Sequence, residues 1–332
     1  CYLMVDLFFI MSGFIILHVY KDDFSGRIGW DSFRKYIIAR FARIYPLHFF
    51  AMLLLVTGVI LFSPAGTYPN PIENPAAIPT GFLLLHSYYF HNLYTWNIPS
   101  WSISAEWAAY MLFPFLALFL NKNKLLALIL FLTGVALAYL SIMYFLPRKN
   151  FFNPSIPVPH NLNTTYDYGF LRGIAGFTAG MIVYTFFQWS SAKGMFRKDV
   201  YAVVTCVLVV LALHFAISDV YTVILFAALV FYFALNNRYL HACLNNRILQ
   251  YIGKISYSIY LMQIFLQEPF SKGLRLPGVV GFGRGKQNID FGPGIGFCVI
   301  YLFLLIAISS ISYYTIEQPC RKWINKLGSN KR

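Results

Sequence analysis

Charge is scarce in this chain. Only 11% of its 332 residues are Asp, Glu, Lys or Arg, and just 12 are acidic, where soluble domains carry about 25% charged residues. That shortage excludes a soluble globular domain. Cysteine is scarce as well: Cys1, Cys206, Cys243, Cys298 and Cys320 are scattered, with no C-x-x-C or Cys/His ligand spacing. A disulfide framework and a zinc site are therefore not indicated. The sequence also lacks low-complexity tracts, a fixed-period repeat and a cleavable signal, because its first apolar run has no basic lead and no small-residue cleavage site. What fills the chain is hydrophobic, at 58%, with 33 Phe and 24 Tyr bringing aromatics to 19%. This composition defines an integral membrane protein whose rings suit the bilayer interfaces.

The net charge of +14 does not point to nucleic acid, because the basic residues sit in short loops between apolar runs, where insertion topology calls for them. Runs of spanning length fall near 2–20, 42–63, 103–120, 125–146, 168–189, 200–217, 221–236, 250–268 and 294–316. The shorter run 81–91 carries His86 and His91 and follows a Pro- and Asn-rich stretch, which predicts an interfacial or re-entrant piece. With nine spans, 19 of the 26 basic residues collect on one side and the other 7, Arg172 among them, fall in loops of the opposite side; the positive-inside bias makes the first side cytoplasmic. The C-terminus is then cytoplasmic and Cys1 lies outside. One further span before Cys1 is expected, giving ten. The fold class expected is an all-α polytopic bundle, nine spans present of ten: one integral membrane domain over 1–320, N-terminally incomplete, and a cytoplasmic basic tail over 321–332. The outer loops 147–167 and 269–293, rich in Pro, Asn and Gly, are expected either to be mobile or to shape a binding surface.

A few polar groups stand out against this background. Asp6 is the only charged side chain between Cys1 and His18, and an intramembrane carboxylate marks either a functional site or an interhelical hydrogen bond. Arg40 and Arg43 are three apart and share a helical face at a membrane edge, suited to anchoring or to phosphate and carboxylate binding. After Pro99, where Ser100 or Ser102 can cap a helix, Ser102, Glu106 and Tyr110 form a polar stripe at i, i+4 and i+8. Gly253, Tyr257, Tyr260 and Gln263 share a face that favours close helix packing. Glu317 is expected at a helix C-terminus ended by Pro319, with Arg40 and Arg43 as plausible partners at the same membrane face. His18, His86, His91 and His160 form no ligand set, and no metal site is assigned.

Five segments, read together, resemble the acyltransferase-3 family of membrane O-acyltransferases, which includes O-antigen and peptidoglycan O-acetylases. They are Val5-Asp6-Leu7-Phe8-Phe9 through Ser12-Gly13-Phe14, Arg40-Phe41-Ala42-Arg43-Ile44-Tyr45-Pro46, Trp101-Ser102-Ile103-Ser104-Ala105-Glu106-Trp107 to Pro114, Ile255-Ser256-Tyr257-Ser258-Ile259-Tyr260-Leu261, and Ile316-Glu317-Gln318-Pro319. The resemblance implies transfer of an acyl group, usually acetyl, from acetyl-CoA or another acyl-CoA to a hydroxyl of a cell-envelope glycan or glycoside at the inner membrane, with no permanently bound cofactor. It implies supporting catalytic roles for Asp6, Glu106 and Glu317, with the family's reactive histidine expected upstream of Cys1. His18 does not match that histidine, and Gln263 stands where the family often has a histidine. Arg40 and Arg43 would hold the CoA phosphates. Ser12, Trp101, Ser102, Tyr110, Tyr257 and Tyr260 would line the substrate site. The alternatives are a transporter or flippase of an envelope precursor, since intramembrane acids also mark transport paths, or an inactive fragment lacking the catalytic histidine.

Overall fold

The computed structural model describes residues 2–62, 71–147, 159–191, 199–235, 244–273 and 291–329. Cys1, Cys243 and the greater part of the two long outer loops, 148–158 and 274–290, lie outside the described residues. Among the described residues every regular element is helical. In chain order these are α1 (Met4–Tyr20), α2 (Trp30–Phe62), the short α3 (Ile78–Phe82), α4 (Ser100–Lys122), α5 (Lys124–Leu140), α6 (Gly169–Ser191), α7 (Asp199–His214), α8 (Asp219–Leu235), α9 (Arg247–Gly273), α10 (Phe291–Ser312) and α11 (Gln318–Ser329). Five helical stretches are long and apolar enough to cross a membrane: Trp30–Leu61, Ser100–Lys122, Lys124–Phe145, Gly169–Trp189 and Cys298–Gly328. Three shorter apolar helices, Met4–Tyr20, Asp199–His214 and Asp219–Leu235, accompany them. The chain is a multi-pass, all-helical membrane protein.

Local sequence explains where the helices begin and end. Asp199 and Asp219 open α7 and α8, where a carboxylate meets the positive end of the helix dipole. Asn123 separates α4 from α5. The run 81–91 contains no crossing-length helix: α3 ends at Phe82 and the backbone then turns through Leu84 and Tyr89, both at positive φ (57° and 59°). The Ser104 hydroxyl holds this irregular stretch, donating to the Leu84 carbonyl at 2.5 Å and accepting from the Ser87 amide at 3.3 Å. These bonds satisfy backbone groups that a regular helix would have paired internally.

Two compact units emerge from the packing, one comprising Cys1–Ile37, Pro75–Thr95 and Trp101–Asn246, the other Ile38–Asn74, Trp96–Ser100 and Arg247–Arg332. In the first, α6 packs against α1, α5 and α8. Its approach to α1 is close because both surfaces are glycine. A Cβ on Gly13 would overlap the Phe177 carbonyl, and one on Gly180 would overlap the Ile10 carbonyl. Bare backbones meeting this way are how apolar helices associate without a solvent-driven force. Leu3, Ile10, Tyr139, Ile142, Leu162, Ala175 and Phe226 form the core around the contact.

In the second unit α9 packs on α10. Two expectations are corrected here. Pro319 does not end a helix: a π-turn over Tyr313–Glu317 carries α10 into α11, with the Gln318 amide bonded to the Tyr313 carbonyl, and Pro319 lies just beyond it in a helical stretch that runs on to Gly328. The local shift in bonding pattern accommodates the missing proline N–H. Gly253 does not mark close packing, because nothing lies within 4 Å of the Cβ it would carry. The basic tail expected from residue 321 is helical through Ser329.

Candidate functional site

Three polar constellations account for the residues singled out in the sequence. The first lies in the first unit and is dry. Asp6, on α1, and Arg172, in the first turn of α6, are both fully buried. Arg172 Nε donates to one carboxylate oxygen at 3.0 Å and Nη2 to the other at 2.5 Å, the fork geometry of a bidentate pair. The remaining guanidinium donors reach the Thr164 carbonyl (3.1 Å) and the Tyr2 carbonyl (3.0 Å), and the plane lies 5.5 Å from the Trp101 ring. Tyr2 in turn donates to both oxygens of Asp219, which also accepts from the Leu162 amide at 2.6 Å. A buried charge is tolerated only when so completely paired. Counting Arg172 among the loop charges of the outer side missed this role. Trp101, expected to line a substrate site, packs instead between Phe9 and Arg172.

The second constellation, also in the first unit, is partly open. Ser12 on α1 donates to Glu106 on α4 at 2.9 Å, Tyr110 donates to the same oxygen, and the two hydroxyls are 3.3 Å apart. Glu106 and Ser12 are half-buried and Tyr110 buried. The i, i+4 spacing in the sequence thus delivers Tyr110 onto Glu106, and Tyr36 fixes that turn by donating to the Tyr110 carbonyl at 3.1 Å. Ser102, one turn earlier, is buried. An intramembrane carboxylate aligned by two hydroxyls can accept a proton or orient a hydroxyl substrate.

The third lies in the second unit. Arg43 pairs with Glu317 at 2.5 Å, and Ser258 donates to the other carboxylate oxygen at 2.7 Å. Tyr257 stands with its ring 5.6 Å from the Arg43 guanidinium and its hydroxyl on the Ile44 carbonyl. The exposures are unequal: the Arg43 side chain is 29% exposed and that of Glu317 is 1%. Arg40, one turn before, is half-buried. The partnership expected between Glu317 and the arginine pair is therefore met by Arg43. Tyr260, three residues beyond Tyr257, donates to the Pro99 carbonyl at 2.9 Å. His48 was not singled out in the sequence; it is buried and meets Ser100 through Nδ1 at 3.1 Å. Its only sequence signal is a histidine two residues after Pro46 inside an apolar helix. Among the described residues no group of three or more His, Cys, Asp or Glu could hold a metal ion.

A multi-helix membrane domain with acid–arginine pairs and a half-buried carboxylate fits an enzyme or a transporter alike, and comparison with known proteins decides between them. A family model for an acyltransferase domain, Acyl_transf_3, matches residues 1–314. The chain belongs to the acyltransferase-3 family. Acyltransferase MdmB from Streptomyces mycarofaciens is 36% identical over 113 residues, 33% of this chain and 27% of that protein. Protein 2 in picA locus from Rhizobium radiobacter is 43% identical over 74 residues, 22% of this chain and 37% of that protein. The matches thus span about a quarter and somewhat over a third of those relatives. No solved structure matches.

Proposed function

We propose that the protein is a membrane-bound O-acyltransferase that moves an acyl group, acetyl in the simplest case, from acyl-CoA to a hydroxyl of a cell-envelope glycan or glycoside. The observation that carries the donor assignment is the Arg43–Glu317 pair: one partner is sealed, the other keeps 29% of its side chain exposed. A carboxylate held by Ser258 fixes the arginine without covering it, which suits a site for the CoA phosphates, with Arg40 alongside. MdmB, by its name an acyltransferase, agrees with the reaction class.

On the acceptor side Glu106, aligned by Ser12 and Tyr110, takes the proton from the attacking hydroxyl or holds that hydroxyl for a histidine of the kind the family carries. The C–O bond to the acyl carbon forms, the C–S bond breaks, and the proton passes to the departing thiolate. Asp6 supports this arrangement at one remove, by locking α1 to α6 through Arg172. The basic loops favour a cytoplasmic C-terminus in the inner membrane, and nine spans agree with the charge bias.

The test supplies acetyl-CoA with a labelled acetyl group, and envelope glycan, to the full-length protein in membranes. A base-labile ester on glycan hydroxyls is the expected product. Movement of a glycan precursor across the membrane with no acyl transfer would replace this reading with a flippase.

A further inference from the structure

The turn 96–100 in the second unit is built in a way that none of the roles above uses. Trp96 has φ 53°, a left-handed backbone that a bulky L-residue adopts only under constraint. The constraint is visible: the Trp96 amide donates to the Ile72 carbonyl and its indole Nε1 to the Asn74 carbonyl, both at 2.9 Å. Next comes Asn97, fully buried, its own carbonyl accepting from the Ser100 amide at 2.9 Å. Both polar atoms of the Asn97 side chain are buried and have no hydrogen-bond partner among the described residues. Buried amide groups are paired in the great majority of folded proteins, and an exception calls for an explanation such as a ligand. The turn closes on Ser100, hydrogen-bonded to buried His48, and on Pro99, whose carbonyl is held by Tyr260.

We infer that this turn is a binding site for a secondary amide. An Asn side chain offers N–H donors on Nδ2 and a carbonyl acceptor in Oδ1, the complement of the C=O and N–H of a peptide-like amide. Strain at Trp96 and the unpartnered Asn97 raise the energy of the closed turn, so a ligand that parts it and pairs both atoms recovers what the closed state forfeits. The inference rests on the acyl-CoA reading for the ligand it favours. The pantetheine arm of CoA carries two amides between its phosphates and its thioester. Arg43 and His48 lie five residues apart on α2, about 7.5 Å along the axis. An arm anchored by phosphate at Arg43 would then run toward the turn, with the thioester at the His48 and Ser100 end. An acetamido sugar on the acceptor carries the same chemistry and is the other source.

The experiment uses full-length protein in nanodiscs, with CoA, pantetheine and N-acetylglucosamine methyl glycoside as probes. Asn97→Leu, near-isosteric and apolar, should unfold no more easily than wild type, because it removes a buried unpaired group. The same substitution should weaken pantetheine and CoA binding by about tenfold or more, the scale of losing both hydrogen bonds to the Asn97 amide. In the wild type, pantetheine should slow amide hydrogen exchange at residues 96–100, a readout independent of any variant's folding. The same two responses to the sugar alone would assign the amide to the acceptor. Equal binding of all probes by wild type and Asn97→Leu, with exchange at 96–100 unmoved, would overturn the site while leaving the acyl-CoA reading intact. Failure of wild type to bind CoA or to transfer acyl groups would instead remove the donor reading, and with it the pantetheine assignment.

Discussion

The two acid–arginine pairs differ in what they leave open, and the difference separates scaffold from site. Asp6 and Arg172 are both sealed, and Asp6 is gripped by a guanidinium whose other donors end on backbone carbonyls. Glu317 is equally sealed, but its partner Arg43 is 29% exposed and its second oxygen is served by a serine. A fully satisfied dry pair has nothing left to offer a ligand, and its value lies in fixing two helices. A pair with one exposed member is anchored and still able to bind. The first pair belongs to the glycine-lined contact of α1 and α6; the second sits on the strand of chain that also carries His48.

Breaking the closed pair should produce the largest effect. Asp6→Asn leaves Arg172 charged in a dry site and should cost about 3–5 kcal/mol, read as loss of folded protein and a lower unfolding temperature in detergent. The double replacement Asp6→Leu with Arg172→Met should recover most of that loss, since apolar groups of similar volume often substitute for a buried pair at little cost. At the open pair, Arg43→Gln strands a carboxylate that Ser258 still serves, so stability should fall by about 1–3 kcal/mol while the KM for the acyl donor rises about tenfold. Ser258→Ala, which removes only the second hydrogen bond of Glu317, should cost about 1 kcal/mol and raise the donor KM by less than Arg43→Gln does.

The smallest effect concerns the segment that feeds the closed pair. Tyr166 lies two residues beyond Thr164, and burial, reinforced by the neighbouring Asp167 charge, pushes its phenol up to about 12. Its neutral form is favoured in the folded state. The resulting stability is complete below the unfolded phenol pKa, about 10, and is lost as pH rises toward 12. An unfolding scan between those values should show alkaline destabilisation that is reduced in Tyr166→Phe.

Much of this was legible in the sequence, for local reasons. Each apolar run of spanning length falls on a helix because length and hydropathy are local quantities, and Tyr110 meets Glu106 because i, i+4 spacing on a helix needs no tertiary knowledge. Partnerships across the chain were legible only where chemistry narrowed them. Glu317 called for a cation at its own membrane edge and found Arg43, 274 residues away. Arg172 read as a loop charge because it sits within one turn of the start of α6, and its partner is 166 residues distant. His48 gave little signal and Asn97 none, since their significance is burial, which spacing does not encode. Pro319 misled for the opposite reason: it breaks a regular helix, and the π-turn before it lets this helix run on.

The most direct test of the division between scaffold and site is CoA binding to three forms of the full-length protein: wild type, Arg43→Gln, and the double Asp6→Leu with Arg172→Met. Folded double variant should bind CoA as wild type does, and Arg43→Gln should bind about tenfold more weakly, the scale of one charge-assisted hydrogen bond. Wild-type affinity in Arg43→Gln, or loss of CoA binding by a well-folded double variant, would contradict it.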